Sequence, residues 1–92
     1  MTETKTNWYL YLVRCADDTI YTGISIDVQA RINKHNNGRG AKYTSTRLPV
    51  RLIYSESQPD RISAMKRELQ VKRWSRKLKE NLARGFSLQE AK

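Results

Sequence analysis

The sequence predicts an α+β fold of the α/β class, a three-stranded antiparallel sheet flanked by helices in the order β-β-α-β-α-α. Three observations carry that expectation. Two short alternating segments, 8–15 and 19–24, are separated by the polar triplet "ADD". A third alternating segment follows Pro49. The stretches after the second and third segments carry apolar residues at helical spacing behind capping residues.

The first strand places Trp8, Leu10, Leu12 and Arg14 on one face and Tyr9, Tyr11, Val13 and Cys15 on the other. Residues 16–18 turn the chain, and the second strand returns with Tyr21 and Gly23 on one face and Ile20, Thr22 and Ile24 on the opposite one. Asp27 is a candidate N-cap for a helix that runs to about Asn36, with Val28 and Ile32 as its buried stripe. "NNGRG" ends it, since Gly38 and Gly40 accept left-handed backbone. Residues 38–48, "GRGAKYTSTRL", read as a basic polar loop. The third strand is "VRLIYS", with Val50, Leu52 and Tyr54 alternating against Arg51 and Ile53. Ser57 is the candidate cap of the next helix, with Pro59 near its first turn. Ile62, Met65 and Leu69 keep helical spacing as its apolar side, extended by Val71 and Trp74. Ser75 caps a last helix carrying Leu78 and Leu82, which Gly85 is expected to stop.

At 92 residues the chain has room for one core, so a single domain is expected over 1–92, with its core at 8–84 and flexible tails at 1–7 and 85–92. An apolar content of 38% suffices for one sheet covered on one side by helices. The longest apolar run is too short to span a bilayer, and "MTETKTN" has no secretory pattern. The single cysteine, Cys15, has no partner for an internal disulfide, which fits a reducing cytoplasm. No helix joins a broad apolar face to a lysine-rich one as a membrane-surface helix does, so no membrane partner is expected.

Eighteen Lys+Arg against nine Asp+Glu leave a formal charge of +9, which attracts polyanions, nucleic acid first. The charge is clustered. No acidic residue occurs from Val28 to Ser55, a span with Arg31, Lys34, His35, Arg39, Lys42, Arg47 and Arg51. A second basic group, including Arg61, Lys66, Lys72, Arg73 and Arg76, lies near the C-terminus with Trp74 among it. Such clusters with interleaved aromatics suit a phosphate backbone. "GRGAKYTSTR" lacks the Gly-Lys-Ser/Thr ending of a phosphate-cradling loop. It is either a nucleic-acid contact through Arg39, Lys42, Tyr43, Thr44 and Arg47, or a passive connector.

Tyr9-Leu10-Tyr11, then Tyr21-Thr22-Gly23, then Arg31 with His35, the "GRGAKYT" loop and Glu68 on a late helix form an ordered set. The set resembles the signature of the GIY-YIG nuclease superfamily, and most closely its small stand-alone members, over roughly residues 8–82. The resemblance implies a Mg²⁺- or Mn²⁺-dependent endonuclease that hydrolyses phosphodiester bonds, with DNA as the expected polymer and a protein partner as a possible source of specificity. It implies Tyr11, Tyr21, Arg31, His35 and Glu68 as catalytic residues, Glu68 as the metal ligand, and Gly23 as the site of close packing. The alternative function is a nucleic-acid-binding module on the same fold that cleaves nothing. The chain departs from the pattern in two respects. Tyr9 and Leu10 stand where the family has glycine and isoleucine, and only Glu80 and Asn81 lie near the family's late asparagine.

Phosphodiester cleavage asks for such residue types on chemical grounds. A hard oxygen donor suits Mg²⁺, and an arginine grips phosphate bidentately without losing its charge. Arg31 and His35, four apart, share one helix face. Tyrosine is an unusual base, with an ordinary pKa near 10, so Arg31, the metal and neighbouring lysines are expected to favour its phenolate. Glu68 also has Lys72 one turn on, a favourable surface pair, and Lys72 is a further candidate nucleic-acid contact.

Overall fold

The computed structural model describes residues 7–90, and side chains over 7–85. Its elements are β1 (Trp8–Arg14), β2 (Ile20–Ser25), α1 (Val28–Asn36), α2 (Lys42–Ser45), β3 (Arg51–Gln58), α3 (Arg61–Lys72) and α4 (Arg76–Glu90). The three strands form one antiparallel sheet in the order β2-β1-β3. The expected tail at 85–92 is helical through residue 90, and the expected tail at 1–7 lies almost wholly outside the described residues.

β1 is buried on both faces, and this decides the layering. Tyr11, Val13 and Cys15 pack with Ile32 of α1 and with Val50, while Leu10 and Leu12 pack with Val71 of α3 and Leu82 of α4. Helices therefore cover both sides of the sheet, not one as the apolar content led us to expect. The run "YLYLV" is the sequence trace of a strand with no solvent face.

The β1–β2 hairpin closes through Asp18 at φ 72, and the Asp17 side chain accepts from the Thr19 N–H and hydroxyl. Opposed residues on paired strands share a face, so the pairs Tyr11–Gly23 and Val13–Tyr21 put both tyrosines on the α1 side. Asp27 caps α1 by accepting from the Ala30 N–H.

β3 departs from the expected alternation. A bulge brings Leu52 opposite Val13 but Tyr54 opposite Leu12. Val50 and Leu52 consequently face α1, while Ile53 and Tyr54 pack on the α3 side. The strand also continues through Ser57 and Gln58, which pair with Tyr9 and Trp8. Ser57 is thus a strand residue, and Asp60 caps α3 by accepting from the Ser63 N–H.

α3 is rotated relative to its expected apolar side. Ile62, Met65 and Leu69 are 66%, 42% and 60% exposed, while Ala64 and Val71 are fully buried. The small Ala64 lets the helix approach the sheet closely. Arg67 is held by a two-pronged bond to Glu56 of β3, at 2.8 and 3.2 Å, which helps set this rotation. Gly85 does not stop α4, which continues to Glu90. Ser75 does cap it, accepting from the Leu78 N–H, and Glu80 ties it to the sheet through Arg14 at 2.6 and 3.1 Å.

Candidate active site

Tyr11 crosses the sheet toward its β2 edge, over Gly23. A Cβ at Gly23 would lie 2.5 Å from the Tyr11 hydroxyl, so only glycine leaves the phenol room to pass. The hydroxyl ends 2.9 Å from Nε2 of His35 on α1. His35 lies edge-on to both Tyr11 and Tyr21, at centroid distances of 6.0 and 5.4 Å.

The hydrogen bonds fix the imidazole tautomer. The Thr44 hydroxyl donates its one proton to the Ala41 carbonyl at 3.1 Å. Its oxygen therefore accepts from His35 Nδ1–H at 2.8 Å. Nε2 is left bare and accepts from the Tyr11 hydroxyl. Burial, with the Arg31 charge beside it, pushes the His35 pKa down, which keeps the ring neutral. Burial also pushes Tyr11 up to about 12, and Arg31 only partly opposes this; Tyr21 and Glu68 raise it further. The expected phenolate is thus not favoured at Tyr11 in the free protein, because desolvation outweighs the cation.

The loop expected at 38–48 is a clamp on this cluster. Only Gly38 uses left-handed backbone, at φ 80. Gly40 is required for space, since a Cβ there would overlap the His35 ring and backbone. Residues Lys42–Ser45 form α2, which presents Thr44 to His35. Tyr43 stacks on Tyr21 at 5.9 Å and 25°. Arg47 lies 3.9 Å from the centre of the Tyr43 ring and bonds Asp17 in the β1–β2 turn at 2.9 Å.

The expected nucleic-acid contacts divide accordingly. Thr44 is fully buried and spent on His35, so it is no backbone contact. Arg47 is committed to Asp17 and the Tyr43 carbonyl. Arg39 and Lys42 are exposed, and Tyr43 is 41% exposed. Lys72 pairs with Glu68 at 3.3 Å.

Of the expected catalytic residues, Tyr11 and His35 are interior, at 1% and 0% exposure, whereas Tyr21 and Arg31 are partly exposed and the Glu68 side chain is 21% exposed. The Arg31 Nε is buried without a hydrogen-bond partner among the described residues. Glu68 lies near enough to act electrostatically on the Tyr11 hydroxyl. Glu80 is held by Arg14 and Arg76, which depress its pKa to about 2, and Asn81 is exposed on α4. Among the described residues no three His, Cys, Asp or Glu side chains cluster as a metal cage. One carboxylate fits Mg²⁺, which keeps several waters and takes oxygens from substrate phosphates, and does not fit an all-protein zinc or calcium site.

Sequence reasoning missed α2, the roles of Gly40 and Thr44, and Arg61, whose guanidinium lies 5.8 Å from the centre of the Trp8 ring. A four-residue helix carries no readable period, and none of these contacts is local.

The profile of the GIY-YIG catalytic domain matches residues 7–81. A UPF0213 protein of Staphylococcus saprophyticus is 49% identical over 71 residues, covering 77% of this chain and 87% of its own. A UPF0213 protein of Staphylococcus epidermidis is 48% identical over the same shares. Among solved structures, a solution NMR structure of a UPF0213 protein from Bacillus halodurans is 46% identical, with a TM-score of 0.53 over 83% of this chain and 81% of that one. A solution NMR structure of a protein from E. faecalis is 37% identical, with a TM-score of 0.61 over 95% and 93%. Among the described residues no helix is long and apolar enough to cross a membrane.

Proposed function

We propose that this chain, which belongs to the GIY-YIG family of nucleases, is a divalent-cation-dependent endonuclease acting on DNA without strong sequence preference. One observation carries the reading. Arg31, Tyr21 and Glu68 are partly exposed beside a buried Tyr11–His35–Thr44 chain, and the buried Arg31 Nε has no hydrogen-bond partner among the described residues. An orphan guanidinium N–H costs about 1–3 kcal/mol. A phosphate oxygen would satisfy it, with the charge-assisted geometry arginine provides.

The roles follow from exposure. Arg31 binds the scissile phosphate and stabilises the added negative charge of the transition state. Among the described residues no side chain hydrogen-bonds the Tyr21 hydroxyl, which leaves it open to the attacking water. It accepts the water's proton as its own passes to solvent. Tyr11 and His35 act as positioning residues, holding Arg31 and the Tyr21 ring from behind. Glu68 would hold the cation, which would supply Lewis acidity to the reaction. Arg39 and Lys42 meet flanking phosphates.

The Lys72–Glu68 pair favours a second reading, a binding module whose carboxylate is engaged by a lysine and not by a metal. Cleavage of linear and branched DNA with Mg²⁺ or Mn²⁺, using Glu68→Gln as control, separates the two. The nuclease reading expects wild-type cleavage, its loss in Glu68→Gln, and binding that stays level or tightens. Unchanged cleavage in Glu68→Gln removes that carboxylate from the site. Tight binding with no wild-type cleavage on any substrate establishes the binding module.

A further inference from the structure

A groove of about 380 Å³ opens beside the candidate site, walled by Trp8, Ile24, Ser25, Ile26, Arg31 and Arg61. Arg31 is the wall it shares with the catalytic cluster. Among the described residues no acidic side chain lines it, and the volume lies within the range of about 300–1,000 Å³ usual for small-ligand sites. Its chemistry is divided: two guanidiniums supply anion binding, while Trp8 and the 53%-exposed Ile26 supply an apolar and aromatic surface. The Arg61 guanidinium lies over the Trp8 ring, 5.8 Å from its centre, and Arg61 is exposed, so its side chain has room to turn off the ring.

We propose that this groove binds one unpaired nucleotide next to the phosphodiester held at Arg31. Its base takes the place of the Arg61 guanidinium on Trp8, beside Ile26, and Arg61 turns to the flanking phosphate that Arg31 also meets. A base in a duplex has both faces covered by its neighbours and cannot lie on Trp8, whereas a base at an overhang, flap or single strand can. The preferred substrate is therefore DNA with an unpaired nucleotide beside the cut. The nucleic-acid identity of the ligand rests on the nuclease reading above.

The test uses the metal-free protein, so that binding is read apart from cleavage. In a Trp74→Phe background Trp8 is the sole tryptophan. An oligo-dT of about ten nucleotides should quench or shift its emission, and a blunt duplex bound at low salt should not. Trp8→Leu should weaken oligo-dT binding about 5- to 100-fold, the range of one base–aromatic stack, and change duplex binding by less than about twofold. Trp8→Phe should recover most of the loss, which separates stacking from misfolding. Arg61→Gln should reduce the salt slope of oligo-dT binding by about 0.7, the value of one phosphate contact on a single strand. Unchanged Trp8 emission at saturating oligo-dT overturns the proposal, as does equal weakening of duplex and oligo-dT by Trp8→Leu. A protein that cleaves nothing, yet passes these binding tests, loses the nuclease reading and keeps the groove.

Discussion

Thr44 Oγ1 lies 2.8 Å from His35 Nδ1, and both side chains are fully buried. Thr44→Val keeps the shape but leaves a buried N–H without an acceptor, at a cost of about 1–3 kcal/mol. Nitrogen shifts of the imidazole should report the Nδ1–H tautomer in the wild type and a shift toward Nε2–H in the variant. A wild-type Nε2–H tautomer would contradict the hydrogen-bond order assigned to the Tyr11–His35–Thr44 chain.

Three glycines should respond differently to alanine. Gly40→Ala drives a Cβ into the His35 ring and backbone, and overpacking of this kind costs about 1–3 kcal/mol. Gly23→Ala meets mainly the end of the Tyr11 phenol, so it should displace the hydroxyl from His35 at a smaller cost in folding. Gly85→Ala, in the interior of α4 with no atom of the described residues within 4 Å of the added carbon, should stabilise by about 0.5–1 kcal/mol. Urea midpoints rank the three.

Arg31→Met should separate stability from function. It removes the orphan Nε and keeps an unbranched apolar stem, so the free protein should be as stable as the wild type or about 1 kcal/mol more so. Cleavage should be lost and nucleic-acid binding weakened. A large loss of stability would mean that Arg31 supports the fold.

Stability should fall at both ends of the pH range. Below about pH 6.5 the unfolded chain protonates His35 while the folded chain, with its depressed value, resists, so stability drops as pH falls. Glu80, ordinarily at 4.5 and held at about 2 by Arg14 and Arg76, adds stability above 4.5 that is lost as pH falls through 2. Tyr11, raised from 10.0 to about 12, stays protonated in the folded chain after the unfolded chain has ionised it, so stability falls as pH rises from 10 to 12. Urea midpoints against pH should lose part of the lowest limb in Glu80→Gln and part of the alkaline limb in Tyr11→Phe, since Glu56 is also held low and Tyr54 is also raised to about 12.

Features readable from nearest neighbours in the sequence were legible in advance. The hairpin, the Asp27 and Ser75 caps and the face shared by Tyr11 and Tyr21 follow from strand period 2 and from side chains reaching backbone three residues away. The spacing of Arg31 and His35 on one helix face belongs with them. Other features depended on contacts between residues far apart. The bulge at Ile53 is set by pairing with β1, and it reverses the face of Tyr54. The rotation of α3 follows from Ala64 and Val71 meeting the sheet and from the Glu56–Arg67 pair, so three well-spaced apolar residues end in solvent. Tyr11 carries a raised pKa because the fold buries its hydroxyl, and the nearby Arg31 charge that a sequence reader would weigh first loses to desolvation. Thr44 looked like a surface contact on a basic loop. It became an interior hydrogen-bond partner because Gly40 lets that loop close on His35, a packing decision that no local pattern encodes.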